Sequence, residues 1–531
     1  MKKIYLSIFL LTLTGIYGGY AQIPNWDWMK TLTSISGSYA LDVAVDPEGN
    51  VITGGLFSGG GIIFDETIME SPTQNQQLFL AKSDNDGNYL WARTATSSLS
   101  GIKFVTTDAE GNIYAVGNFN QSILLDGIQL SSDATTWPSF FAKFDPQGNV
   151  LWAQAIDAYA SSVTGIKISG DYFYLTGNYV DSDGFNLGTF PIGAAESDMF
   201  IAKFTLDGTA VWAHNFNGGI IVNSTSVDAD ALGNVYVSGS AYGNVILNGS
   251  TIESYGNNDG ILLKFNSDGV LSWGRTFGSE GGDTATNVKA DDSGNIYVST
   301  AAEASPFNIN NQTIELYGMR NHIISKLDAL GNYIWTKLVG GNIYDIFNSL
   351  ELDSQGGIYA TGHSFSTLFY ENGQQEEFPV NSHHFVVLHM TDEGEVQWIK
   401  TNSVSSNSEL YAMAMSNTNE LYICGAYTGD INFDGFTANS PIFSGITAKL
   451  TGETLVTGQN TLTTQSVIYP NPVKDIINIA GIDDGPFIIS DVTGRIVSQG
   501  QINNSTINVL AFPSGVYLLN LGNRNTKFIK E

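Results

Sequence analysis

Phe200-Ile201-Ala202-Lys203-Phe204-Thr205-Leu206-Asp207-Gly208-Thr209-Ala210-Val211-Trp212 is followed, after a variable stretch, by Val227-Asp228-Ala229-Asp230-Ala231-Leu232-Gly233-Asn234-Val235-Tyr236-Val237-Ser238-Gly239. Each half reads as a strand, a polar turn containing Gly, and a second strand. Apolar side chains alternate with others, as a strand with one buried face requires. Together the halves make a unit of about sixty residues, and fixed-period self-similarity outranks any local reading.

Three signals count the unit independently. Trp recurs at Trp28, Trp91, Trp152, Trp212, Trp273, Trp335 and Trp398, at intervals of 63, 61, 60, 61, 62 and 63. The turn before the Tyr strand reads D-P-E-G-N at Asp46, D-A-E-G-N at Asp108, D-A-L-G-N at Asp230, D-D-S-G-N at Asp291 and D-S-Q-G-G at Asp353. Weaker copies stand at Ser169 and Ser416. The strand before Trp runs L-A-K-S, F-A-K-F, I-A-K-F, L-L-K-F, I-S-K-L and V-L-H-M, and ends as T-A-K-L at Thr447. Every count gives seven.

The fold class expected is therefore all-β: a seven-bladed β-propeller of about 60-residue repeats over 22–455, plus a small C-terminal β-sandwich domain. A four-stranded meander has an apolar face it cannot bury alone, and radial stacking covers that face while protecting sheet edges. In D-x-x-G-N, Asp can cap its own turn and Gly can take a positive φ. The Trp residues are expected between neighbouring blades. The phase of the repeat matters too: a Trp strand comes first, at Trp28, and the last T-A-K-L strand lacks one. The Trp28 strand is expected to complete the sheet that the last strands leave unfinished. A short motif, S-I-L-L-D-G-I-Q-L at Ser122 with relatives at Val245, Phe307 and Ile431, reads as a decorating hairpin.

Composition narrows function. The chain of 531 residues has only 14% charged residues, 58 Gly and a formal charge of −30. The tail after residue 467 sums to zero, so the deficit lies on the repeats. An acidic body repels phosphate backbones, which excludes nucleic acid as an expected partner. The single cysteine, Cys424, occupies a buried strand position and can form no internal bridge. Lys2 and Lys3, an apolar run to about Ile16, and Gly19-Tyr20-Ala21 make a secretory signal over 1–21, with cleavage between Ala21 and Gln22. No other segment is apolar for eighteen residues, so no transmembrane helix is expected.

The spacing of A-K-F-D-x-x-G-N-x-x-W and D-x-x-G-N-x-Y-x-x-G resembles the seven-bladed β-propeller repeat family of secreted bacterial proteins. A Thr/Gln-rich linker (456–466) leads to a charge-neutral segment, 467–531, of short strands separated by turn signals. That segment resembles the type A C-terminal sorting domain of type IX secretion substrates of the Bacteroidetes. The resemblance rests on Tyr469-Pro470-Asn471-Pro472, on Asp491-Val492-Thr493-Gly494-Arg495, on Gly515 and Tyr517 within P-S-G-V-Y-L-L, and on Lys527 in the basic ending. It implies recognition by the type IX machinery, passage across both membranes, and attachment at the outer surface or release.

Chemistry is sparse in the sequence. Gly362-His363-Ser364-Phe365-Ser366 lacks the last Gly of a serine-hydrolase elbow. Asp430-Ile431-Asn432-Phe433-Asp434-Gly435 opens like a calcium loop but has Pro441 at position twelve, so a plain turn is expected. His383, His384 and His389 cluster without completing a metal pattern. No catalytic residue, metal or cofactor is assigned. Asymmetry would reside in the divergent segments after each Trp strand, which place Asp157, Tyr159, Asp283, Tyr344 and Asp345 on a candidate ligand face. Three functions stay open: a non-enzymatic recognition or scaffold protein for a glycan or protein ligand, a propeller glycan hydrolase or lyase with an acidic pair in the channel, and a structural adhesion or surface-layer component.

Overall fold

The computed structural model describes residues 23–531 except 66, 72, 133–136, 217–221, 248–249, 366, 371–373, 377–382, 402–405, 452–467, 470–471, 480–484, 492–494, 503–504 and 521–524. Ala21, Gln22 and the linker 456–466 lie outside the described residues. The chain divides into two compact units at residues 453/454. Among the described residues every regular element is a strand, and no helix is long and apolar enough to cross a membrane.

The first unit is a propeller-like set of antiparallel sheets, five four-stranded and two extended to six by a hairpin. Their first strands are Ser38–Val45, Ser100–Thr107, Ala160–Ser169, Val222–Ala229, Thr284–Ala290, Asp345–Leu352 and Ser406–Met415, and the sheets are numbered below in that order. Successive first strands touch, and the seventh touches the first. Strand Trp26–Ser34 pairs with Phe436–Leu450, Trp28 opposite Lys449, so the chain's first strand is the outermost of the seventh sheet's four-stranded meander. Hairpins lie where the short motif predicts them, at Ser122–Leu125 with Ile128–Ser131, Val245–Leu247 with Ser250–Ile252, and Phe307–Ile309 with Gln312–Ile314.

The repeat motifs have physical partners. Asp46 Oδ1 accepts the backbone N–H groups of Glu48 (3.0 Å) and Asn50 (2.9 Å), Asn50 Nδ2 donates to Oδ2, and Gly49 closes the turn at φ +85°. The A-K-F lysine then reaches this Asp: Lys82 lies 2.7 Å from Asp46, both nearly fully buried. Burial opposes ionisation, but hydrogen bonds from Lys82 and Asn50 hold the Asp46 carboxyl below its usual range. The second sheet repeats the arrangement with Lys143, Asp108 and the Tyr114 hydroxyl.

Departures from the motif are compensated locally. The third copy lacks the Asp, and Lys203 sits 3.9 Å from the centre of the Tyr172 ring, a cation–π contact replacing the ion pair. In the sixth copy His389 takes the lysine's place and stacks on Tyr359 at 4.3 Å. In the seventh, Asn419 supplies the positive φ, +59°, and Lys449 pairs with Glu420 at 2.8 Å.

Tryptophan joins one sheet to the next. The indole N–H of Trp28 donates to the Asn85 carbonyl (2.8 Å), Trp91 to Pro146 (3.1 Å), Trp212 to Ser267 (3.1 Å) and Trp335 to Asp392 (2.9 Å). Each acceptor lies on the A-K-F turn of the following sheet. The glycine of that turn lies under the ring: Gly269, at φ +78°, has space only for hydrogen beside Trp212. Apolar clusters accordingly span sheet boundaries, as where Tyr114, Phe141 and Trp152 pack with Phe173 and Phe204.

The second unit has a three-stranded sheet (Ile468–Tyr469, Ile476–Ile479, Thr506–Asn508) and a four-stranded one (Gly485–Asp491, Ile496–Ile502, Gly515–Asn520, Asn525–Lys530). Val473, Ile477, Ile489, Tyr517, Leu519 and Phe528 are among the residues of its small core.

Trp212→Ala should destabilise the first unit by about 3 to 5 kcal/mol, the range for emptying a buried aromatic site. Trp212→Phe, which keeps much of the apolar area and loses the Ser267 bond, should cost clearly less. Urea titration followed by intrinsic fluorescence from the remaining tryptophans measures both.

Candidate functional site

Every first strand carries a bulge at the same place. The register against the second strand skips Leu41, Lys103, Thr164, Thr225, Thr286, Asn348 and Tyr411. A bulge re-aims the extra residue and twists the strand, and here all seven residues line one cavity of about 820 Å³ walled by the first strands. Opposite the bulge stands a glycine in every sheet but the fifth. At Gly362 a Cβ would overlap the Ile346 carbonyl oxygen, and at Gly425 that of Glu409.

Four of the bulged side chains tie a sheet to the next. Lys103 Nζ donates to Ser162 Oγ (2.9 Å), Thr164 and Ser224 share a hydroxyl bond (2.8 Å), Thr225 donates to the Ala285 carbonyl (2.5 Å) and Asn348 to that of Leu410 (2.7 Å). Three residues further along the strands is a charged tier. Lys167 lies 2.6 Å from Asp228 and Lys289 2.5 Å from Glu351. Asp228 and Glu351 thus each face a lysine. Asp42, one step from the Leu41 bulge, accepts the Val105 N–H (2.7 Å). Burial, reinforced by Glu351 and opposed by Lys289, pushes its carboxyl up to about 7.

The five residues expected on a ligand face separate. Asp157 and Tyr159 are exposed and line a shallow pocket of about 370 Å³ with Asp181, whose carboxylate accepts the Tyr159 N–H. Tyr344 is 40% exposed. Asp283 and Asp345 are 0% and 1% exposed, so the expectation that they stand on a loop surface is corrected. Asp283 accepts the backbone N–H groups of Ser279 and Glu303, and Asp345 accepts Ser364 Oγ (2.5 Å) and the Gly341 N–H. These carboxylates organise chain corners, and burial raises Asp345 to about 6.

The near-motifs resolve similarly. Ser364 lies within strand Ile358–Ser364 and donates to Asp345. Asp434-Gly435 is the turn between two strands, and Asp434 accepts Lys400 Nζ (2.6 Å). The three clustered histidines diverge: His384 is buried, His389 stacks on Tyr359, and His383 is half-buried with Nδ1 3.1 Å from Glu409. His363, reached in sequence only as part of an elbow, lies beside His383 with the rings stacked 5.4 Å apart. Glu409 lies on strand Ser406–Met415, in the divergent stretch that follows the Trp398 strand, and belongs to no motif. In the tail, Tyr469, Asp491 and Lys527 lie on strands, Gly515 pairs with Lys530, the Tyr517 hydroxyl donates to the Pro513 carbonyl (2.9 Å), and Pro472 and Arg495 are exposed. Pro470, Asn471 and Gly494 lie outside the described residues.

Residues 467–531 match the family of secretion system C-terminal sorting domains. The tail is a type IX sorting domain. Such a tail marks the chain for recognition by the type IX machinery and for export to the cell surface or medium. Over 471 residues, 78% of this chain, the protein is 23% identical to an uncharacterised WD repeat-containing protein of Acanthamoeba polyphaga mimivirus, of which it spans 31%. Among solved structures it is similar to PorZ, a surface component of the type IX secretion system of Porphyromonas gingivalis (12% identity, TM-score 0.27, covering 94% of this chain and 82% of that one). It is also similar to a protein of unknown function from Bacteroides caccae (12% identity, TM-score 0.32, covering 66% and 93%). At these scores neither overlay carries a functional argument.

Asp42 supplies a pH test. Its carboxyl titrates near 7 in the folded protein and near 3.9 unfolded. Between those values only the folded state holds the proton, so this group's contribution to stability falls as pH rises from about 4 to 7. Asp42→Asn should leave thermal stability nearly unchanged at pH 4 and raise it increasingly toward pH 8. Melting curves of both proteins across that range check the sign.

Proposed function

We propose that residues 22–455 form a seven-bladed β-propeller, carried out of the cell by the sorting tail, that recognises a glycan or protein ligand without turning it over. The observation that carries this reading is the state of the channel acids. Of the two carboxylates that line the cavity, Glu351 is spent on Lys289 and Asp42 accepts the Val105 N–H, while Asp228 beside them is held by Lys167; hydrolysis of a glycoside needs two carboxyl groups facing a shared substrate. A wall of alternating charge, hydroxyls and amides suits hydrogen-bonded recognition. The exposed Asp157–Tyr159 pocket offers a second face, an aromatic ring beside a carboxylate, which is suited to a sugar or a peptide.

The export half of the proposal predicts that deleting residues 467–531 traps the propeller in the periplasm. Fractionation with antibody detection reads this, and continued appearance of the truncated protein outside the cell would defeat it. For recognition, the full mature chain should bind members of a glycan and polysaccharide array with no product in the same wells. Tyr159→Ala should weaken that binding roughly tenfold if the exposed pocket is used, about what losing one buried aromatic contact costs.

A further inference from the structure

Where the sixth and seventh sheets meet, at the bulge end of the channel, three potential ligands from distant parts of the chain converge. His363 comes from the second strand of the sixth sheet, His383 from the residue just before that sheet's third strand, and Glu409 from the first strand of the seventh. The nitrogen and oxygen atoms that could ligate all lie within 4.8 Å of one another. His383 Nδ1 and Glu409 Oε1 are 3.1 Å apart, close to the roughly 3.3 Å edge of a tetrahedron built on metal bonds of about 2.0 Å.

No other sheet has a histidine at the place of His363, where Leu56, Asn118, Asn178, Ser240, Ala301 and Ala426 stand. In the second and third sheets that place holds Asn118 and Asn178, and each amide bonds across to the next sheet, Asn118 to the Ser161 carbonyl (3.2 Å) and Asn178 to Ser224 N–H (2.7 Å). His363 is 7% exposed and its Nδ1 has no hydrogen-bond partner. A buried polar atom without a partner costs stability, and a ligand would supply what the amide bridge supplies in the second and third sheets.

We propose that His363, His383 and Glu409 bind one divalent transition-metal ion of the zinc class. Two imidazoles and a carboxylate form a borderline donor set that suits zinc, cobalt or nickel over calcium and magnesium, and three protein ligands leave a coordination position toward the opening. The surroundings support ligation. Tyr411, the bulged residue of the seventh sheet, donates to Glu409 Oε2 at 3.0 Å and leaves Oε1 facing His383. The Phe365 ring packs on His383 at 3.8 Å and limits its swing. Arg320 is the nearby cation that works against a metal, and its charge is partly offset by Glu303 at 3.5 Å. The ion would staple the two sheets across the joint.

The test uses the full mature chain stripped with chelator, titrated with Zn²⁺ against a chromophoric competitor, and with Co²⁺ for its visible spectrum. One equivalent should bind, raise the melting temperature, and with Co²⁺ give the intense absorption of a low-coordinate site. His383→Ala should abolish binding. His363→Asn, which restores the residue of the second and third sheets and should fold, should abolish it too. Tyr411→Phe should weaken it about tenfold, as loss of a group that orients a ligand does. His214→Ala, at an exposed histidine elsewhere, should change nothing. Absence of stoichiometric binding, or binding that survives His363→Asn and His383→Ala, would overturn the proposal.

Discussion

The body of this protein depends on the seat of an indole over the following sheet's turn. Trp28, Trp91, Trp152, Trp212, Trp273 and Trp335 each lie on a positive-φ glycine where a Cβ would crowd the ring, and Trp28, Trp91, Trp212 and Trp335 bond to carbonyls of those turns. One contact therefore satisfies two demands, burial of a large apolar surface and pairing of its polar edge. Trp28 makes the same contact between the seventh sheet and the first, so the first strand of the chain completes the last sheet. The rest of the repeat supports this seat. The capped Asp turn aims the Tyr strand, the buried lysine anchors to that Asp, and the first strands are left to face one another.

Much of this was legible because it is local or periodic. A sixty-residue spacing, a turn with a fixed chemistry and strand alternation are properties of neighbouring residues and their copies, and strands, hairpins and the Trp seat all followed from them. The tail was legible for the same reason: the short strands expected between its turn signals occur, among them Ile476–Ile479 and Thr506–Asn508.

The candidate site was much less legible, because its geometry is set by register and by contacts between sheets. Nothing in the alternation around Leu41 or Asn348 announces a skipped residue, and the bulge decides which side chains meet in the channel. Asp283 and Asp345 look like loop acids, yet backbone N–H groups at chain corners draw them inward. His363 and His383 belong to one sheet and Glu409 to the next, and their separation in sequence conceals an approach within 4.8 Å.

The bulged ring also bears on how such a wall can change over time. Its seven positions hold Leu, Lys, Thr, Thr, Thr, Asn and Tyr on nearly the same backbone, with a glycine opposite in every sheet but the fifth, where Thr300 stands. The scaffold tolerates aliphatic, cationic, hydroxyl, amide and aromatic groups there alike. Each position is thus a replaceable letter, and a lineage could rewrite the lining of the channel one letter at a time while the frame that holds the alphabet stays fixed.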